Sequence, residues 1–148
     1  MTTLSDEFVT ADTDTINHRG RIVKALVRIP VRDGSTVRVI RRNACRDRVQ
    51  GLKISLNKGM LDVNGTRAPA VSLWSNTSPD EVELQVRGQG ATTLEVLNCW
   101  SMGGVDCSWV GNAGMVTPTT TSGLSLRCSD GVGEPEFSDL EAEIVVER

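Results

Sequence analysis

Short runs in which polar and apolar residues alternate fill most of this 148-residue chain, and turn signals separate them about every 8 to 12 residues. Successive side chains of a β-strand point to opposite faces, so such alternation produces one apolar face per strand. The run from 140 to 147 is the clearest example. No helical stripe of any length is visible. We therefore predict an all-β chain of about nine to eleven short strands, folded as a jelly-roll-like antiparallel β-sandwich.

The length of the chain suits one domain with its own core. Residues 1–18 contain four acidic residues and few apolar ones, which predicts a flexible or loosely docked acidic N-terminal arm. Residues 19–148 form the predicted single β-sandwich domain. Aromatic residues make up only 3% of the chain and tyrosine is absent, so the core is expected to be aliphatic.

Two turn signals connect predicted strands. Alternation from Val23 to Ile29 predicts one strand, and Asp33-Gly34 would join it in a hairpin to the next strand, at 37–40. Asn64-Gly65 is the strongest hairpin signal in the chain, because both residue types tolerate positive φ. We expect a tight hairpin at each place.

Charge is distributed unevenly along the chain, although the net charge is only −3. Residues 19–58 carry 12 Lys and Arg against 2 acidic residues, whereas the remainder carries 4 basic and 17 acidic residues. Three interpretations stay open. Basic and acidic strands pair within one sheet, unlike faces of two copies meet in a homo-oligomer, or the basic segment binds an anionic partner.

The anionic partner would contact the arginines of the second predicted strand and the loop after it. These are Arg38, Arg41, Arg42, Arg46 and Arg48. Nucleic acid is the less expected partner of this kind, since no aromatic residue is interleaved there for base stacking.

Catalytic and membrane functions find little support in the sequence. The single histidine, His18, lies in the predicted arm, so no Ser-His-Asp or Cys-His site is expected. The glycines match neither a P-loop nor a dinucleotide fingerprint. No apolar run approaches the ~20 residues of a membrane span, and the first residues lack a secretory pattern. We expect a non-enzymatic cytoplasmic protein with free thiols and no membrane partner.

The segment 129–139 is rich in carboxylates, and calcium is the one cofactor considered for it. Calcium takes six to eight oxygen ligands, which carboxylates and loop carbonyls supply. A solvated acidic turn explains the pattern equally well. The candidate ligands are Asp130, Glu134, Glu136 and Asp139. Zinc is disfavoured, because the four cysteines form no Cys-x-x-Cys pair.

Two glycine-flanked clusters, 98–104 and 109–115, hold two of the three tryptophans. We expect both clusters at the ends of strands, where loops bind ligands. In sandwich lectins and carbohydrate-binding modules, sugar rings stack on exposed aromatic side chains while polar loop residues bind the hydroxyls. Similar residue chemistry here predicts lectin-like recognition of a carbohydrate or another small polar ligand; buried tryptophans are the alternative. The candidate ligand-binding residues are Trp74, Asn98, Trp100, Asp106, Trp109 and Asn112.

Overall fold

The computed structural model describes residues 2–118 and 123–147. Met1, residues 119–122 and Arg148, which the predicted arm and domain include, lie outside the described residues. Within the described ranges, one short helix precedes fourteen β-strands. The predicted all-β class is confirmed, whereas the predicted number of nine to eleven strands is too low because short strands such as Thr66–Ala68, Val105–Cys107 and Gly114–Val116 add to the sheets. No helix in these ranges is long and apolar enough to cross a membrane.

The helix and the first strands alternate with short turns, and the longest strands lie in the middle of the chain and at its end. In chain order the elements are α1 (Leu4–Ala11), β1 (Thr15–His18), β2 (Arg21–Lys24), β3 (Val27–Pro30), β4 (Thr36–Ala44), β5 (Val49–Leu56), β6 (Met60–Val63), β7 (Thr66–Ala68), β8 (Ala70–Trp74), β9 (Glu81–Arg87), β10 (Thr93–Met102), β11 (Val105–Cys107), β12 (Gly114–Val116), β13 (Leu124–Ser129) and β14 (Leu140–Glu147).

The strands form two antiparallel sheets that share one aliphatic core. The first sheet has the order β1-β2-β12-β13-β14-β4-β9-β6-β7. The second has the order β11-β10-β5-β8, and β3 also pairs with β10. Leu84 and Ile144 of the first sheet are buried in the same cluster as Ile54 and Val96 of the second. The predicted β-sandwich is therefore confirmed.

The Asn64-Gly65 turn joins β6 to β7 as the sequence predicts. Asn64 has φ +51° and Gly65 has φ +85°, which is the pair of positive φ angles that a tight hairpin turn requires. The C-terminal alternation is confirmed too, because Leu140, Ala142 and Ile144 are buried in the core.

The predicted strand from Val23 to Ile29 is two strands in different sheets. β2 pairs with β1 and β12 in the first sheet, whereas β3 pairs with β10 in the second. The predicted hairpin between β3 and β4 is wrong for the same reason, since β4 lies between β14 and β9. Polar and apolar residues keep alternating across the break at Ala25-Leu26. The local pattern therefore cannot show that β2 and β3 pair with strands of different sheets.

The N-terminal segment, which the sequence predicts to be a flexible or loosely docked arm, contains the helix α1 and the strand β1. Thr3 caps α1, and its Oγ1 accepts a hydrogen bond from the Asp6 backbone N–H while the Asp6 carboxylate accepts one from the Thr3 N–H. This capping box satisfies two otherwise unpaired donors of the helix. The same bond from the Thr3 backbone lowers the pKa of Asp6.

Packing holds the capped helix against the first sheet. Leu4 is completely buried and packs in a small cluster with Ile16 and Val23. Glu7 Oε2 lies 2.9 Å from His18 Nδ1, which links the helix to β1. One deeply buried leucine and good capping compensate here for the low apolar content of the segment.

Candidate functional site

A groove of about 450 Å³ lies between α1 and the loop that follows β11. Its apolar wall consists of Phe8, Val9, Leu26 and Trp109. Asp12, Thr13 and Asp14 line the same groove. An apolar cleft with a few polar groups is the usual form of a small-molecule site.

Trp109 is the most unusual residue of the groove. Its backbone has φ +59°, a left-handed conformation that bulky residues rarely adopt. Its side chain is 53% exposed, and the indole Nε1 donates a hydrogen bond to the Ala25 carbonyl at 2.8 Å. Ala25 is where the chain passes from the first sheet to the second, so the ring is attached to the rim of the sandwich.

Asn112 anchors the Trp109 loop from behind. Its Oδ1 accepts a hydrogen bond from the Leu4 backbone N–H at 3.1 Å, and its Nδ2 donates to the Gly133 carbonyl at 2.6 Å. Ser5 N–H also donates to the Gly111 carbonyl at 2.9 Å. These bonds join α1, the Trp109 loop and the loop between β13 and β14. The Asn112 amide is thus engaged in holding the groove together.

The acidic side of the groove is held in place as well. Asp14 Oδ2 accepts a hydrogen bond from Arg28 Nη1 at 2.8 Å, and this bond lowers the pKa of Asp14. The Asp14 carbonyl accepts a bond from the Ala25 N–H at 2.8 Å. Asp12 ends α1 in a left-handed conformation and is exposed. The groove therefore presents carboxylate oxygens beside an aromatic surface.

Trp100 and Asn98 lie in the interior and not at a loop surface. Trp100 is 1% exposed, and its ring packs so closely on Gly131 that a Cβ there would lie 2.5 Å from ring atom Cζ2. Asn98 points inward as its register predicts, and its Nδ2 donates to the Ser129 carbonyl at 2.9 Å. That bond connects the two sheets. Neither residue offers a surface to a ligand.

Trp74 and Asp106 lie outside the groove. Trp74 is half-buried at the end of β8, opposite Gly51 of β5. Asp106 is exposed on β11 and pairs with Ser101 of β10. Of the six candidate ligand-binding residues, Trp109 lines the groove and Asn112 supports it.

Most of the candidate arginines are paired with carboxylates of the same chain. Arg38 contacts Glu81 and Glu147. The other pairs are Arg41 with Asp80 at 2.9 Å, Arg42 with Glu143 at 2.7 Å and Arg48 with Asp130 at 2.7 Å. Arg46 is exposed and takes part in none of the ion pairs found in residues 2–118 and 123–147. Ion pairs within the chain, among them those of Arg38 and Arg42 between neighbouring strands, thus account for part of the charge asymmetry.

The four carboxylates proposed for calcium do not converge. Glu134 and Glu136 are exposed, whereas Asp130 and Asp139 are buried. The two aspartates instead meet Cys45, and the three candidate ligand atoms lie within 4.8 Å of one another. In the part of the chain that the structure describes, this is the one such group of His, Cys, Asp or Glu side chains.

His18 is fixed by Glu7, so the argument that a mobile histidine precludes catalysis no longer holds. Nevertheless, no hydrogen bond of the described residues joins His18 to a serine, threonine or cysteine. Absence of enzymatic activity stays a prediction.

The four cysteines form no disulfide. Burial raises the pKa of the Cys99 thiol to about 12, and it also raises the pKa of Cys128. Both thiols are therefore poor nucleophiles.

Sequence reasoning missed Phe8, Val9 and Gln50. Phe8 and Val9 lie in the segment predicted to be an arm, where the Thr3 to Asp6 capping box is the signal that could have revealed a helix. Gln50 lies two residues before Leu52 on the same face of β5. The alternation that predicts an inward Asn98 therefore also predicts a buried Gln50.

Comparison with protein-family models, with curated proteins and with solved structures found no significant match to this chain.

Proposed function

We propose that this protein is a non-enzymatic binding module whose groove between α1 and Trp109 takes a carbohydrate or another small polar ligand. The observation that supports this most is Trp109 itself, with its left-handed backbone, its exposed ring and its hydrogen bond to Ala25. Such recognition is lectin-like in its chemistry, because a flat aromatic surface stands beside hydrogen-bond acceptors.

The strained backbone of Trp109 argues for a functional role. Holding a bulky residue in a sparsely populated conformation costs about 1–3 kcal/mol, and such strain concentrates at binding sites. A buried tryptophan would offset that cost by packing, but more than half of the Trp109 side chain is exposed. The hydrogen bond to Ala25 fixes the ring before a ligand arrives, which reduces the entropy lost on binding.

The polar groups of the groove match the hydroxyls of a sugar. Asp14 is kept ionised by Arg28, so its oxygens act only as acceptors. Asp12 is exposed next to it, and Thr13 adds a hydroxyl that donates or accepts. A ring stacked on Trp109 would place its edge toward these groups.

A titration with monosaccharides and oligosaccharides tests the proposal. Tryptophan fluorescence and calorimetry would identify a binder, and the affinity of Trp109→Ala would be compared with that of Trp74→Ala. Trp74 is half-buried and does not line the groove, so it is the matched control. We expect Trp109→Ala to weaken binding at least tenfold, which corresponds to about 1.4 kcal/mol, and Trp74→Ala to change it less than twofold.

Two results would contradict the proposal. The first is that no carbohydrate tested changes the fluorescence or the heat signal. The second is that Trp109→Ala binds the sugar with the same affinity as the unmodified protein. Circular dichroism of both variants checks that neither result comes from unfolding.

The two alternative functions, a charge-driven homo-oligomer and an anion-binding protein, draw on the same basic residues. Ion pairs inside the chain already occupy Arg38, Arg41, Arg42 and Arg48, so less charge is left for a partner. Light scattering after size exclusion at low and high salt tests both. A salt-sensitive large particle would favour assembly, and a raised 260 nm absorbance would favour nucleic acid.

A further inference from the structure

A buried polar cluster joins the loop between β4 and β5 to the loop between β13 and β14. Asp130 is completely buried, and its Oδ2 accepts hydrogen bonds from Arg48 Nε at 2.7 Å and Gln50 Nε2 at 2.9 Å. Asp139 Oδ2 accepts one from the Asp130 N–H at 2.9 Å. The Cys45 thiol lies 3.3 Å from Gln50 Nε2. The fold thus brings together the Cys45 thiol and the carboxylates of Asp130 and Asp139, which are far from Cys45 in sequence.

The side-chain oxygen of Gln50, beside these residues, is buried without a hydrogen-bond partner. Gln50 has no exposed surface, and its Oε1 makes no hydrogen bond. The carboxamide that carries this oxygen donates to both Cys45 and Asp130 through its Nε2, so the amide nitrogen and not Oε1 faces these two side chains. Burial of an oxygen without a hydrogen-bond partner destabilises the folded state. A half-turn of the carboxamide would exchange the two atoms and bring this oxygen to the side of Cys45 and Asp130, where it would be a neutral ligand for a cation.

The carboxylates retain lone pairs for a ligand. An ionised carboxylate accepts about four hydrogen bonds. Asp130 Oδ1 accepts one, from the Val132 N–H at 3.0 Å, and Asp139 accepts one at Oδ2. The bonds from Arg48 and from backbone N–H groups orient both carboxylates in the way that outer-shell contacts orient metal ligands.

We propose that Cys45, Asp130 and Asp139 form a site for one divalent transition-metal ion, to which a half-turn of the Gln50 carboxamide would add Oε1 as a fourth ligand. A thiolate is too soft a ligand for calcium or magnesium, whereas zinc accepts sulfur and oxygen in one tetrahedral set. The missing Cys-x-x-Cys pair does not oppose this proposal, because the cysteine ligand pairs with aspartates from another part of the chain.

Charge balance supports a divalent ion. Cys45 as a thiolate and the two carboxylates carry three negative charges, and Arg48 supplies one positive charge beside them. A divalent cation brings the sum to zero, which is the condition for burying charges at low cost. The Cys45 S–H proton leaves to solvent as the sulfur binds the metal, since only a thiolate is a ligand.

The site has a path to solvent. A cavity of about 280 Å³ at the surface is lined by Cys45, Arg48 and Ser75 among others. Cys45 is only partly buried, whereas Asp130 is fully enclosed. An ion would therefore enter on the thiol side.

Cobalt and zinc titrations of chelator-treated protein test the proposal. Cobalt bound to a thiolate gives a charge-transfer band in the near ultraviolet, so the spectrum reports a sulfur ligand, and mass spectrometry of the metal gives the stoichiometry. We expect one equivalent of cobalt, displaced by zinc, and a rise of the melting temperature with zinc. Cys45→Ser should lose the band and bind at least tenfold more weakly, whereas Cys107→Ser should behave as the unmodified protein.

Asp139→Asn keeps an oxygen that accepts the bond from Asp130 and is the second test if Cys45→Ser fails to fold. It should also weaken metal binding at least tenfold. The proposal is overturned if no stoichiometric metal binds, if the band persists in Cys45→Ser, or if it is lost in Cys107→Ser. Sugar binding at the Trp109 groove is measured separately, so failure of one proposal leaves the other intact.

Discussion

The two glycine-flanked clusters are alike in composition and opposite in structure. Trp100 extends along β10 and is 1% exposed, whereas Trp109 lies in a loop with φ +59° and is 53% exposed. Trp100 lies within β10, which pairs with β5 on one side and with β3 and β11 on the other. Trp109 lies after the short β11, where the chain crosses toward the first sheet. Position relative to the paired strands therefore decides which tryptophan packs and which faces solvent.

The comparison predicts that the largest stability loss follows truncation of Trp100. Trp100→Ala removes a completely buried ring and leaves a cavity against Gly131, so we expect a loss of about 3–5 kcal/mol in the free energy of unfolding. Trp109→Ala is the matched control and should cost about 1 kcal/mol or less, because the ring is mostly exposed. Urea denaturation measures both. Equal losses would contradict the assignment of one ring to packing and the other to binding.

A smaller loss is expected from Asn112→Ala, which removes the link behind the Trp109 loop. Two hydrogen bonds disappear, to Leu4 and to Gly133, so we expect about 1–2 kcal/mol. Hydrogen exchange in α1 should accelerate, because the helix loses its contact with the loop. Asn76→Ala, in an exposed turn, is the control and should change neither quantity. Unchanged exchange in α1 would show that Asn112 does not hold the groove.

Asp139, in the loop between β13 and β14, and Asp14, in the groove, should affect stability with opposite dependence on pH. Burial raises the pKa of Asp139 above its unfolded value, so its contribution to stability is present at low pH and is lost as the pH rises. In chelator, Asp139→Asn should therefore gain stability relative to the unmodified protein as the pH rises above about 4.

Asp14 should show the opposite sign, because Arg28 lowers its pKa. Asp14→Asn should lose stability relative to the unmodified protein at neutral pH, and the difference should vanish as the pH falls. Denaturation curves from pH 3 to 8 test both variants. The same slope for the two variants would contradict the opposite environments of these carboxylates.

The smallest effect is predicted for Trp109→Gly. Glycine adopts positive φ without strain, and that gain opposes the lost bond to Ala25 and the lost packing of the ring. We expect a change within about 1 kcal/mol, with Trp109→Gly at least as stable as Trp109→Ala. A clearly less stable glycine variant would show that the backbone of Trp109 carries no strain.

The sequence was a good guide to local structure and a partial guide to the site. Asn64-Gly65 predicted its hairpin, and Asn98 points inward as its register required. Trp100 and Trp109 were both predicted to lie in ligand-binding loops, but only Trp109 lies in a loop, and Phe8 and Val9, which line the groove beside it, were missed in α1. Periodicity cannot detect a helix of eight residues that depends on one cap and one buried leucine.

The alternation of residues by itself determined the β-class, the aliphatic core and the amphipathic C-terminal strand, because these depend on neighbours within a few positions. Only the tertiary structure decided where the chain changes sheets, which tryptophan is exposed and which carboxylates meet. Cys45, Asp130 and Asp139 come together because β4 pairs with β14 and the Cys45 N–H donates to the Asp139 carbonyl at 2.7 Å. Contacts between distant segments depend on strand partners, and a local pattern carries no information about them.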